Sequence, residues 1–242
     1  MSDVSAWLRD FRDLLNPRFC AICGCRLTPT EQKLCGACLT KLPYLLSEGW
    51  ENNLSARLFW GQIPVERAYS HILYEPESDS HRLLMQMKYN HRPDLCRWVG
   101  HMLAENLQPG GFFEGIEAIV PVPLHWRRLW KRGYNQSFEM ALGVSDLTRL
   151  PILKHAVKRV RNNVSQTHMS ASERIRNVQG LFRALSGLPC HHILLVDDVL
   201  TTGATLSACA RAISDANSQV RFSFLTLART HDGLPPVPAS EE

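Results

Sequence analysis

No apolar run in this 242-residue chain approaches the ~20 residues needed to cross a bilayer. Membrane insertion is therefore not expected. The N-terminal stretch MSDVSAWLRDFRDLLNP scatters acids and arginines where a secretory signal needs an uninterrupted apolar core. A cytoplasmic protein is the expectation. No Gly-Lys-Ser/Thr follows a glycine-rich loop, so a Walker-type nucleotide site is absent from the sequence. No internal repeat is visible. Nothing after Cys38 has the several basic residues of a DNA-recognition helix, which argues against a zinc-finger transcription factor.

Hydrophobic content of 45% and charged content of 21% suit a soluble globular chain, large enough for one domain plus a small module. The net charge of +4 is unevenly spread. Pro121 to Arg176 holds eleven Lys/Arg and three Asp/Glu, or +8, which leaves about −4 for the remainder. A local excess of this size suits a polyanion such as pyrophosphate, a nucleotide or nucleic acid, although a solvated basic face has the same composition.

Apolar periodicity organises the chain. Trp7, Leu8, Phe11, Leu14 and Leu15 follow helical spacing. ERAYSHILYE reads as a strand, and helices are expected near 79–90 and 93–107, parted by NHRPD. IEAIVPVP is a buried strand closed by prolines, and NQSFEMALGVSDLTRL is helical. ILKHAVKRV, GLFRAL and HHILLVDD read as strands, with a short helix at SASERIRNV. GATLSACARAISDAN is a helix and QVRFSFLTLAR the last strand. Alternating strands and helices imply an α/β fold with a mainly parallel sheet. The expected organisation is an N-terminal helix and zinc-ribbon-like module over 1–45, a linker over 46–65, the main domain over 66–230 and a disordered tail over 231–242.

Cysteine, with eight residues, is concentrated near the N-terminus. Cys20-x2-Cys23 and Cys35-x2-Cys38 are two knuckles of the kind that close a tetrahedral thiolate site. Zinc is the metal this donor set suits, and four sulfurs make the site structural. Disulfides and a redox pair are the competing readings, disfavoured by the expected compartment and by the doubled motif. Gly24 and Gly36 would allow the tight turns, and Cys25 is expected outside the first coordination shell.

The stretch ILLVDDVLTTGAT, residues 193–205, carries the second chemistry. It places Asp197 and Asp198 at the end of a buried strand, where open α/β sheets bind ligands. The helix that follows begins at Thr201, Thr202, Gly203, Ala204 and Thr205. Its first-turn N–H groups and dipole suit a phosphate, with the threonine hydroxyls as added donors. Carboxylates beside a phosphate cradle are explained if they accept from vicinal ribose hydroxyls, with Mg²⁺ reducing the repulsion. The peptide thus reads as a ribose 5-phosphate binder.

ILLVDDVLTTGAT resembles the phosphoribosyl-pyrophosphate (PRPP) signature of type I phosphoribosyltransferases. Together with the four-cysteine cluster, VPVPLHWRRLWKRGYNQS and QTHMSASERIRNVQGLF, the chain resembles the ComF/GntX-like family of competence and DNA-utilisation proteins, over about residues 18 to 230. The resemblance implies a type I phosphoribosyltransferase-like sheet flanked by helices, behind a small zinc module. It implies that Asp197 and Asp198 hold the ribose hydroxyls and stabilise charge during catalysis, while Thr201 to Thr205 hold the 5-phosphate. The pyrophosphate loop would follow IEAIVPVP, with Arg127, Arg128, Lys131, Arg132, Asn135 and Gln136 as partners; Lys88 and Arg174 also match family positions. His125 is an acid/base candidate but more in keeping with a packing role. The implied activity is phosphoribosyl transfer to an acceptor that the sequence does not reveal, in DNA uptake or utilisation or in nucleoside metabolism. The alternative is a non-catalytic PRPP sensor that binds single-stranded DNA, for which Trp126, Trp130 and Tyr134 among cations offer stacking surfaces.

Overall fold

The computed structural model describes residues 17–45, 50, 53–161 and 180–231. The N-terminal helix, the SASERIRNV helix, Arg174 and most of the C-terminal tail lie outside these residues. The elements in chain order are α1 (Gly36–Lys41), α2 (Leu54–Arg57), β1 (Val65–Leu73), α3 (Asp79–Tyr89), α4 (Pro93–Leu107), β2 (Ala118–Pro121), α5 (Trp126–Arg132), α6 (Gln136–Thr148), β3 (Val157–Arg159), β4 (Phe182–Ala184), β5 (His192–Leu200), α7 (Ala204–Ala216) and β6 (Arg221–Arg229).

Four strands form one sheet in the order β1-β6-β5-β2, and every pair in it is parallel. β5 and β6 are central and read as nearly continuous apolar runs, as sheets covered on both faces require. Their side chains alternate between two cores. Leu194, Val196, Leu225 and Leu227 join α3, α4 and α6. Ile193, Leu195, Phe222 and Phe224 join α7 and the antiparallel β3–β4 hairpin.

Sequence periodicity located most of these elements, and the caps explain their ends. Ser78 accepts from the His81 N–H at the start of α3, and Pro93 opens α4, where its missing N–H costs nothing. α4 and α6 cross at two glycines. A Cβ at Gly100 would lie 2.0 Å from the Met140 carbonyl oxygen, and one at Gly143 would lie 1.9 Å from that of Arg97.

Three helical segments lie where the sequence suggested none, α1 within the cysteine module being the first. α5 is a seven-residue helix in the region read as a loop, capped by His125 and stopped by Gly133 at φ 80°. α2 lies in the stretch read as a linker. Asn53 caps it by accepting from the Ala56 N–H and donates to the Ala68 carbonyl of β1. Two residues beyond α2, Phe59 is fully buried with its ring 4.4 Å from that of Phe224.

The cysteine module packs on the core that contains α3 and α4. Lys33 reaches Asp94 of α4 in an ion pair. The chain leaving the module runs antiparallel along the outer edge of β1. There Tyr44 bridges Ile72, the Leu45 N–H donates to the His71 carbonyl at 2.9 Å, and the Leu73 N–H donates to that of Pro43 at 2.8 Å. Among the described residues no helix is long and apolar enough to cross a membrane.

Candidate functional site

β2 ends beside the acid pair. Pro121 pairs with Val196, and the Val122 N–H still donates to the Val196 carbonyl at 3.0 Å. Beyond this point the prolines carry the chain away toward α5. β5 continues to Leu200 against β6, so Asp197 and Asp198 lie within the strand where one neighbour has stopped. The opening is a cleft of about 350 Å³.

Asp197, Asp198, Thr201, Thr205, Lys88, Arg128, Arg132 and Gln136 all line this cleft. Thr202, Gly203, Ala204, Arg127, Lys131 and Asn135 lie outside its lining. Asn135 serves as the α6 cap: its side-chain carbonyl accepts from the Ser137 N–H, and its amide donates to the Val122 carbonyl. Gly203 shapes the cradle. It precedes α7 at φ 74°, and no side chain caps the helix there. A Cβ at this position would also sit 2.9 Å from the Phe59 ring.

The two aspartates have different surroundings. Asp198 faces Lys88, with Nζ to Oδ2 at 3.3 Å. Asp197 Oδ1 accepts from Ser137 Oγ and from the Asp198 N–H, each at 2.9 Å. Burial, and then the neighbouring Asp198 charge, push the Asp197 carboxyl well above the usual carboxylate range. Its two hydrogen bonds and Lys88 only partly offset this. A site with such an acid is prepared for hydroxyl donors or a cation.

His125 is buried. Its Nδ1 accepts from the Arg127 N–H at 3.3 Å, and burial together with nearby arginines lowers its pKa. It is a capping residue in this structure. Tyr134 is also committed within the fold, donating to the Met87 carbonyl at 2.7 Å and accepting from the Arg92 N–H. It is not a free stacking surface. Trp126 and Trp130 are exposed, Trp130 by 90%. Arg127 lies over the Trp126 ring at 5.3 Å.

Several lining residues, Ser137 and Arg159 among them, escaped the sequence reading. Ser137 sits one residue beyond the GYNQ segment, and Arg159 arrives from β3. Ser137 could have been found from its place in the first turn of a helix that opens onto the cleft. Nothing local marks Arg159.

At the N-terminal module, Cys20, Cys23, Cys35 and Cys38 have all four sulfurs within 4.8 Å of one another. The Cys23 and Cys35 sulfurs are 3.7 Å apart, too far for a disulfide. A tetrahedral zinc with ~2.3 Å bonds separates its sulfurs by about 3.8 Å, so the donors fit a metal ion. Gly24 takes the left-handed conformation, φ 73°, that the first knuckle needs. Gly36 does not. It opens α1 and donates its N–H to Glu31 at 2.7 Å.

The chain is similar to several known proteins. The phosphoribosyl transferase domain family matches residues 139–239, which include the acid pair and the threonine loop. Competence protein F of Haemophilus influenzae is 29% identical over 196 residues, covering 78% of this chain and 82% of that protein. The chain is similar to the competence and DNA-utilization proteins over about four fifths of its length. DNA utilization protein YhgH of Escherichia coli K12 is likewise 29% identical, covering 80% of this chain and 83% of its own length. Among solved structures, a purine phosphoribosyltransferase of Pyrococcus horikoshii covers 60% of this chain and 91% of its own, at 12% identity and a TM-score of 0.31.

Proposed function

We propose that the cleft binds PRPP together with Mg²⁺, and that the chain acts in DNA uptake or utilisation as a phosphoribosyltransferase-type protein. One observation carries this reading: an acid pair, Thr201 and Thr205 beside the start of α7, and cationic side chains line a single cleft. Vicinal ribose hydroxyls would donate to Asp197 and Asp198. The 5-phosphate would take the first-turn N–H groups of α7 with Thr201 and Thr205. Arg128, Arg132 and Lys88 would neutralise the diphosphate. Asp197 and Asp198 would hold Mg²⁺, which would supply further charge neutralisation. In transfer, the C1–O bond breaks with its electron pair leaving on pyrophosphate, and the acceptor's lone pair forms the new bond to C1. The aspartates would stabilise positive charge on the sugar in between. Structural zinc on the four cysteines and a cytoplasmic location belong to the same proposal.

Calorimetry with PRPP, with and without Mg²⁺, tests the binding, and pyrophosphate release with a panel of bases tests turnover. Asp198→Asn keeps the shape and removes the charge that faces Lys88. It should weaken PRPP binding by roughly ten- to a hundredfold without unfolding the protein. Equal affinity in variant and parent would remove the reading.

The exposed tryptophans favour a second reading. α5 presents Trp126 and Trp130 among Arg127, Arg128, Lys131 and Arg132. Unpaired bases stack on such rings while cations hold the phosphates, so α5 is proposed as a weak single-stranded DNA site. Arg128 and Arg132 also line the cleft, so PRPP should compete, and each ligand should lower the other's affinity by the same factor. Anisotropy at two salt concentrations, with and without Mg²⁺-PRPP, measures this. Binding indifferent to saturating PRPP would move DNA off α5.

A further inference from the structure

A second cavity, of about 560 Å³, adjoins the cleft and shares Pro123, Leu124 and Arg159 with it. Among the described residues, neither the acid pair nor the threonine loop lines it. Its walls come from three elements. α5 gives Trp126 and Leu129, α6 gives Phe138 and Glu139, and β3 with the turn before it gives Lys154 and Lys158. The size and the mixture, apolar walls with a few polar groups, are those of a small-molecule site.

Glu139 is the group in this wall that needs a partner. It is half-buried, and among the described residues its carboxylate makes no hydrogen bond or ion pair. The cations whose charge reaches it are engaged elsewhere. Arg97 holds Asp146 with two contacts of 2.7 Å, and Lys154 Nζ lies over the Phe138 ring at 4.3 Å. Burial pushes the Glu139 carboxyl up, and Arg97 and Lys154 only partly oppose this. A carboxylate left so in a largely apolar wall is short of N–H donors.

The charge of the cavity narrows the ligand. Lys154, Lys158 and Arg159 outnumber the carboxylate, which disfavours a cationic guest and favours one that carries a phosphate. Trp126, 63% exposed, offers a ring for stacking. A stacking guest with a phosphate and N–H donors is a nucleotide, and the carboxylate then selects the base. Guanine sets N1–H beside its N2 amino group, two donors for two oxygens. Adenine and cytosine set one amino group beside a bare ring nitrogen, and thymine sets its N–H between carbonyls, so each turns a lone pair on the carboxylate. We propose that this cavity is a guanine site, in which Glu139 accepts from N1–H and the N2 amino group, Trp126 stacks on the ring, and Lys154 and Lys158 hold the 5′-phosphate. The site does not rest on the PRPP reading. A free guanine nucleotide and a guanine in a single strand along α5 offer it the same chemistry.

The test uses the full chain and calorimetry with guanosine, inosine and adenosine 5′-monophosphates and with guanosine. Inosine monophosphate keeps N1–H and lacks the N2 amino group. The guanine nucleotide should bind about tenfold or more tighter than the inosine one, and the adenine one should bind more weakly still. Guanosine should bind more weakly than its monophosphate, and Lys158→Met should narrow that gap. Glu139→Gln keeps the size but faces the base with one acceptor and one donor. It should lose the guanine-over-inosine preference, with the ligand-free melting temperature unchanged or higher because a half-buried charge is removed. Asp198→Asn should leave guanine nucleotide binding within about twofold. Anisotropy with a thymine-only single strand and with the same strand carrying one central guanine separates the two sources. A preference for the guanine strand that Glu139→Gln abolishes assigns the site to DNA, and nucleotide binding without that preference assigns it to the free nucleotide. Equal affinity for the three monophosphates with no strand preference would overturn the proposal. So would a Glu139→Gln variant that keeps the parental preference. Loss of guanine nucleotide binding in Asp198→Asn would place the base in the cleft and overturn it too.

Discussion

Asp197 has its pKa raised by burial and by Asp198, so its charged form is a burden on the ligand-free protein. The folded value stands above the unfolded one. The burden is therefore absent below the ordinary carboxylate range and grows as pH rises through the raised value. Asp197→Asn keeps an oxygen for Ser137 and the Asp198 N–H. It should melt close to the parent near pH 4 and above it at pH 8, by about 1 kcal/mol or roughly 2–4 °C. Thermal melts across this range check the sign, and a stability gap independent of pH would contradict it. Gly203 gives the opposite case. Its φ of 74° and the 2.9 Å approach of a Cβ to Phe59 make Gly203→Ala a strained change. A loss of about 1–3 kcal/mol is expected in denaturant unfolding, with weaker binding of ribose 5-phosphate. The sequence placed Gly203 in the threonine loop. It did not reveal Phe59 as its neighbour, because Phe59 is 144 positions away and lies in a stretch rich in polar turn-formers.

Among the elements, long amphipathic segments were legible and short ones were not. α3, α4, α6 and α7 each repeat their apolar face over several turns, and β5 and β6 are runs too apolar for anything but a covered strand. α5 has seven residues, two turns at most, and carries its apolar residues on an exposed face. Periodicity has no core to report there. Its available signal was Lys131 and Arg132 before Gly133, the chemistry of a helix end. The β3–β4 hairpin brings Arg159 to the cleft by pairing across a wide gap in sequence, and no local pattern encodes that. The α4–α6 crossing has a direct test. At Gly100 an added methyl group meets backbone, which cannot rotate away. Gly100→Ala should cost about 1–3 kcal/mol in denaturant unfolding. It should also weaken PRPP binding, because α6 carries Gln136 and Ser137 into the cleft. Stability loss with unchanged affinity would show that the crossing and the site are mechanically independent.

At the scale of the molecule, the four cysteines and the acid pair were each readable as linear motifs. Their relation was not, since it depends on how the chain leaves the module and meets the sheet. Purified, reduced protein is expected to hold one zinc per chain by metal analysis. Cys25→Ala should retain the metal, and Cys38→Ala should lose it. The segment at Tyr44 and Leu45 makes its removal more than a local event. It covers the outer edge of β1, and the edge of a parallel sheet is a row of unpaired donors and acceptors open to any other strand. A module loosened by chelation would uncover that row on every molecule at once. Chelated protein should therefore self-associate, with light scattering rising with protein concentration before the parallel sheet itself melts. In this respect the cysteine module would guard against aggregation as well as hold a metal ion.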